Sequence, residues 1–222
     1  MFANLMLGLR EGLEASLIVG ILIAYVVKVG RSDAVLKIWL GVAAAVLVSI
    51  GLGVALTVAT DSLGPVAEPL IAGFASIAAA IMVTWMIFWM AKTAKNMRSS
   101  LEKDVSKSLA TGTAALVAIA FLAVVREGAE TSLFVWAAAQ NADTSVRPLI
   151  GALLGILASA IIGYLIYRGA LKLNLGTFFK WTGAFLILVA AGIASYGIAE
   201  LQEVGIINFL TAPTYDLTSV IP

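Results

Sequence analysis

Residues 10–19 read Arg10-Glu11-Gly12-Leu13-Glu14-Ala15-Ser16-Leu17-Ile18-Val19, and residues 126–135 read Arg126-Glu127-Gly128-Ala129-Glu130-Thr131-Ser132-Leu133-Phe134-Val135. Seven of the ten positions are identical. Both copies interrupt long apolar stretches, about 2–28 and 109–139, and four further stretches of the length needed to cross a bilayer lie at about 37–60, 69–91, 149–168 and 177–199. The chain therefore reads as an all-α polytopic membrane bundle of six transmembrane helices. The motif helices are the first and fourth, three spans apart and so oppositely directed, which predicts two inverted three-helix repeats, about 2–91 and 109–199. Residues 1–203 read as a single transmembrane domain, and residues 204–222 as an extracytoplasmic tail that is cut short.

Composition agrees. Of the 222 residues 61% are hydrophobic and only 12% charged, with a mean hydropathy of +1.04, so the surface must face lipid. A net charge of +1 provides no broad field for nucleic acid. Cysteine and histidine are absent, which excludes disulfides, thiolate or imidazole metal sites and imidazole bases. Carboxylates must carry the chemistry. The start has no basic n-region and its apolar run is broken by Arg10, Glu11 and Glu14, so it reads as a first helix rather than a cleaved signal.

Connectors carry the turn residues expected of them, as in Asp61-Ser62-Leu63-Gly64-Pro65 and Asn141-Ala142-Asp143. Outside the motifs, basic residues fall in alternate loops, with Lys28, Arg31 and Lys37, then Lys92 to Lys107, then Arg168, Lys172 and Lys180 on one side and Arg147 alone on the other. The positive-inside rule then puts the amino terminus outside a cell membrane and the basic loops in the cytoplasm. The Lys92–Lys107 loop is explained as a topology determinant that meets anionic lipid.

At about 1.5 Å per residue, Glu11 lies some nine residues and Glu130 some ten from the outer ends of their helices, so both motifs reach similar depth near mid-membrane. Within a motif the glutamates are three apart and the arginine four before the second, so all three share a helix face. One ionised group at the bilayer centre costs at least about 2.5–3.5 kcal/mol. Two buried Arg-to-Glu pairs serving packing alone would leave Glu11 and Glu127 unpartnered, and such pairs seldom outdo apolar replacements. Two arginines against four glutamates leave a formal −2, which invites a cation or protons. Glu11, Glu14, Glu127 and Glu130 are the candidate ligands, with Arg10 and Arg126 orienting them.

Gly12 and Gly128 admit either a close helix or a substrate, and Gly8 with Gly12 forms a small-xxx-small face. Ser16, Thr131 and Ser132 either ligate or bond back to helix carbonyls. Glu200 and Glu203, three apart after the sixth span, are a candidate entry site or a solvated helix end. Met82, Met86 and Met90, with Trp85 and Trp89 nearby, read as packing rather than soft-metal ligation.

The doubled Arg-Glu-Gly-x-Glu motif, together with Glu200-Leu201-Gln202-Glu203-Val204-Gly205 after the sixth span, resembles the oxidase-dependent ferric iron permeases across helices 1 to 6. The resemblance implies a permease rather than an enzyme, with Fe(III) as cargo and no resident cofactor. It also implies the motif glutamates as ligands, a Glu-x-x-Glu entry segment and an extracytoplasmic oxidase or peroxidase partner converting Fe(II) before import. Two departures stand out: a seventh span expected of the family is missing, and Ala199 stands where many relatives have histidine. Read from the residues alone, the cargo stays open among hard cations such as Fe(III), Mn(II), Ca(II) or protons. A non-transport reading, an intramembrane lipid pyrophosphate phosphatase with Glu-bound metal, lacks the histidines and the phosphate loop it would need.

Overall fold

A computed structural model describes residues 1–61, 67–93, 113–140, 146–170 and 174–207. Most of the two expected turns, the central basic loop and the tail beyond 207 lie outside these residues. Six long helices account for the described chain: α1 (Phe2–Lys28), α2 (Val35–Asp61), α3 (Ala67–Thr93), α4 (Thr113–Gln140), α5 (Val146–Tyr167) and α6 (Leu175–Glu203), with a 3-10 turn at Ser32–Ala34 before α2. The protein is an all-α membrane bundle. Four segments are long and apolar enough to span by hydropathy alone, within α2, α3, α5 and α6. The other two, α1 and α4, have 27 and 28 residues, about 40 Å at 1.5 Å per residue. Their motif charges, not their length, set them apart.

Helix ends follow from local chemistry. Two residues past α1, Gly30 takes φ +77°, a left-handed conformation that glycine adopts without penalty. Its N–H bonds Val27 O at 3.0 Å while Arg31 N–H reaches back to Val26 O at 3.0 Å, the paired closure of a Schellman end. Gly169 ends α5 the same way. At the start of α6, the Asn174 side chain accepts from Thr177 N–H at 3.2 Å, satisfying one of the free donors of a helix start. In the turn before α2, Arg31 Nε and Asp33 Oδ1 lie 3.0 Å apart. That hydrogen bond holds the exposed Asp33 carboxyl below its ordinary range.

Packing is dominated by three pairs, α1 with α5, α2 with α4 and α3 with α6, and α1 also crosses α4. Close contacts give their directions. Gly151 lies against Met1 and Asn4, and Gly163 against Ser16, so α1 and α5 run parallel. Gly41 lies against Val117 and Ala120, and Gly53 faces Ser132, so α2 and α4 do as well. Gly73 meets Gly197 while Gly183 meets Ile87, which makes α3 and α6 antiparallel. These contacts come in matched sets. Residues 116 apart correspond between α1 and α4, as do residues 110 apart between α2 and α5 and between α3 and α6. Met1, Asn4 and Leu5 around Gly151 thus correspond to Val117, Ala120 and Phe121 around Gly41.

Two apolar clusters flank the motifs. One joins α1, α2 and α4 through Ile18, Leu22, Val26, Ile38, Leu116 and Val124. The other joins α1, α3, α4 and α6 through Leu7, Val83, Phe134, Trp136 and Leu186. Between them the motif glycines are seams. A Cβ at Gly12 would overlap the Ser159 hydroxyl, and one at Gly128 the Ser49 hydroxyl, so both glycines sit in close helix seams. Gly12→Ala and Gly128→Ala are each expected to destabilise by about 1–3 kcal/mol through overpacking. A Cβ at Gly192 meets nothing within 4 Å, so Gly192→Ala is expected to gain up to about 1 kcal/mol from helix propensity. Thermal unfolding of the detergent-solubilised protein measures all three.

Candidate cation site

The crossing of α1 and α4 brings the two motifs together. One carboxylate oxygen each from Glu11, Glu14 and Glu127 lie within 4.8 Å of one another, and all three residues are buried. No other group of three or more acidic residues among the described residues comes so close. Glu130 is not part of this triad. It pairs instead with Arg126, Nε to Oε1 at 3.2 Å, the i,i+4 spacing of one helix turn.

The two arginines differ. Arg10, with 1% of its side chain exposed, sits 2.9 Å from Glu11 Oε1 and 3.2 Å from Glu14 Oε1. It also donates to the Met86 sulfur at 3.6 Å. Arg126 is 42% exposed, and its guanidinium stacks over the Trp89 ring at 4.3 Å. The methionines thus divide: Met82 packs against the second apolar cluster, Met86 holds the buried arginine, and the side chain of Met90 lies outside the described residues.

The arginines do not satisfy the carboxylates. Glu14 Oε1 is within ion-pair distance of Arg10 but not aligned for a hydrogen bond, so both Glu14 oxygens lack a donor, as do Glu11 Oε2, Glu127 Oε2 and Glu130 Oε2. Buried carboxylate oxygens without donors are costly. Four of them belong to the triad, whose carboxylates form an all-oxygen cluster suited to a hard cation.

Nearby hydroxyls turn inward to their helices. Ser16 Oγ donates to Leu13 O at 3.0 Å and Thr131 Oγ1 to Glu127 O at 2.8 Å. Ser132 Oγ lies 2.8 Å from Gly128 O and 2.7 Å from Ser49 O across the α2–α4 seam. Glu200 and Glu203 end α6 away from the triad. Ser49 and Ser159 are contributors that the motif reading passed over. Their signal is in the chain, as the period-four small residues Gly41, Ala45, Ser49 and Gly53 in α2, and Gly151, Gly155, Ser159 and Gly163 in α5.

Residues 1–220 match the sequence model of the iron permease FTR1 family. The chain is 37% identical over its whole length to the ferrous iron permease EfeU of Escherichia coli O6:H1, covering 81% of that protein. It is 36% identical to the Yersinia pestis ferrous iron permease EfeU, covering 79%. No solved structure matches.

Proposed function

Because the chain belongs to the iron permease FTR1 family, we propose that it imports iron as Fe(III) across the cell membrane through the Glu11–Glu14–Glu127 triad. The family consists of permeases, so the hydrolase reading of the same charged residues falls away. The observation that carries the proposal is the convergence of three buried carboxylates whose free oxygens have no protein donor. With Arg10 counted, the triad carries a formal −2 that a bound cation would offset, with Glu130 able to add a fourth oxygen. Arg10 would orient Glu11 and Glu14 and limit their repulsion when no ion is bound, and Arg126 would do the same for Glu130. Glu200 and Glu203 would collect ions at the outer surface, where an oxidase or peroxidase partner would supply Fe(III). The matched contacts of the two halves support the inverted-repeat reading, with the ion held where the repeats meet.

Fe(II) is the second reading. The relatives are named for ferrous iron, and the Met86 thioether beside Arg10 is a softer donor than any carboxylate.

Radiolabelled iron uptake into proteoliposomes tests both, under oxidising conditions and again with ascorbate, with Ga(III), Mn(II) and Ca(II) as competitors. The expected result is uptake under oxidising conditions that only Ga(III) blocks and that Glu127→Gln lowers at least about tenfold, the loss that 1.4 kcal/mol of ion affinity gives. Uptake only with ascorbate, competed by Mn(II), would instead establish Fe(II) as cargo. Uptake indifferent to Glu127 would overturn the site.

A further inference from the structure

A cleft of about 250 Å³ opens between α1, α4 and α6, lined by Asn4, Leu7, Phe134, Ala138, Gly192 and Ile193 among others. Its position relative to the triad is fixed by helix register. Leu7 is one turn before Glu11 on α1, and Phe134 one turn past Glu130 on α4. Both are buried in one apolar cluster and line the cleft, each one helix turn from a motif glutamate. Asn4, a buried polar residue in a mostly apolar wall, stands one turn before Leu7. The face of α6 that carries Gly192 continues through Tyr196 to Glu200, one turn at a time. That face of α6 therefore leads from the cleft to the carboxylates at the helix end.

The correspondence between the two halves gives the cleft a counterpart set of residues on α1, α3 and α4. Asn4 and Leu7 map onto Ala120 and Ala123, Phe134 and Ala138 onto Ile18 and Leu22, and Gly192 and Ile193 onto Met82 and Val83. Of these counterparts Ala120, Leu22, Ile18 and Val83 are buried rather than open, the first three in the first apolar cluster and Val83 in the second. The mismatch has a side-chain cause, since Leu22 and Met82 are bulky where the cleft has Ala138 and Gly192.

We propose that the cleft is the entry half of the cation's path, closed at its base by Leu7 and Phe134. The matching surface of α1, α3 and α4, lined by Ile18, Leu22, Met82 and Val83, is its exit half, opening when the entry half closes. The inference rests on the transport reading above, and it adds the route and the residues that gate it. Two packed arrangements related by exchange of the repeats are the kind of bistable element that moves a site between two sides of a membrane.

The chain has no cysteine, so single cysteines report the path directly. Gly192→Cys and Ala138→Cys at the entry half, Leu22→Cys and Val83→Cys at the exit half, and exposed Leu188→Cys as a lipid-facing control are placed in the full chain in sealed vesicles. Each is exposed to a membrane-impermeant methanethiosulfonate from one side or the other. Positions 192 and 138 are expected to react at rest, only from the side bearing the amino terminus. Positions 22 and 83 are expected to stay protected at rest and to react from the opposite side about tenfold faster during iron uptake, following the shift in population. Leu188→Cys is expected to stay unreactive throughout. Filling the cleft with Gly192→Trp is expected to stop uptake, while Leu188→Trp, at a 73% exposed position outside the cleft, preserves it.

Entry-half cysteines inert from both sides in variants that still transport would overturn the proposal, as would Gly192→Trp transporting like wild type. Exit-half cysteines that never react in transporting variants would overturn the second half of the path. Wild-type protein that takes up no iron would defeat the transport reading instead, and the resting labelling pattern would still decide whether the cleft reaches water.

Discussion

Arg10→Met is expected to destabilise the protein by about 3–5 kcal/mol, the cost of leaving buried charge without its partner, and Arg126→Met is expected to cost less, because it strands one carboxylate, Glu130, where Arg10→Met strands two. The motif copies are equivalent in sequence, so the difference comes from where the tertiary structure puts each arginine. Arg10 is almost wholly enclosed, within 3.2 Å of two buried glutamates and in contact with Met86. Among the described residues Arg126 pairs with Glu130 alone, is 42% exposed and gains from its stack on Trp89, a contact worth about 0.5–1 kcal/mol or more. Thermal unfolding of both variants beside wild type is the measurement. Equal losses would mean that the two arginines are equally enclosed.

The second large effect is expected when a cation is added. Ga(III) has the charge of Fe(III) without its redox chemistry, and at about a hundred times its Kd a ligand that binds only the folded state raises stability by about 2.7 kcal/mol. Wild type is expected to show that gain. Glu14→Gln removes one of the crowded carboxylates, both of whose oxygens are buried without a donor, so it is expected to melt higher than wild type without cation and to lose most of the Ga(III) increment. Stability and function pull in opposite directions at such sites, because the repulsion that a cation relieves is a standing cost when none is bound. A Glu14→Gln protein that melts lower on its own and still gains fully from Ga(III) would contradict this account.

Much was legible in the chain itself, for identifiable reasons. Six helices follow from apolar runs of spanning length, a local property that needs no partner. The duplicated motif marked Arg10, Glu11, Glu14, Arg126, Glu127 and Glu130 because ionised groups inside apolar helices are expensive wherever the rest of the chain goes. The hydroxyls of Ser16, Thr131 and Ser132 bond back to helix carbonyls, the commoner local outcome for such residues inside a helix. Glu11, Glu14 and Glu127 meeting while Glu130 stays outside their triad had no sequence signal. Helix rotation and crossing depth decide it, set by seams such as Gly12 against Ser159 and Gly128 against Ser49, whose residues lie far apart in the chain.

By itself, then, the sequence determined that this is an all-helical membrane protein with two charged motifs built from oxygen ligands, since hydropathy, helix period and the absence of cysteine and histidine are read one segment at a time. Only the tertiary structure decided which carboxylates share a point and which arginine is enclosed. Those depend on long-range contacts between small residues, where a methyl group more or less changes how closely two helices approach.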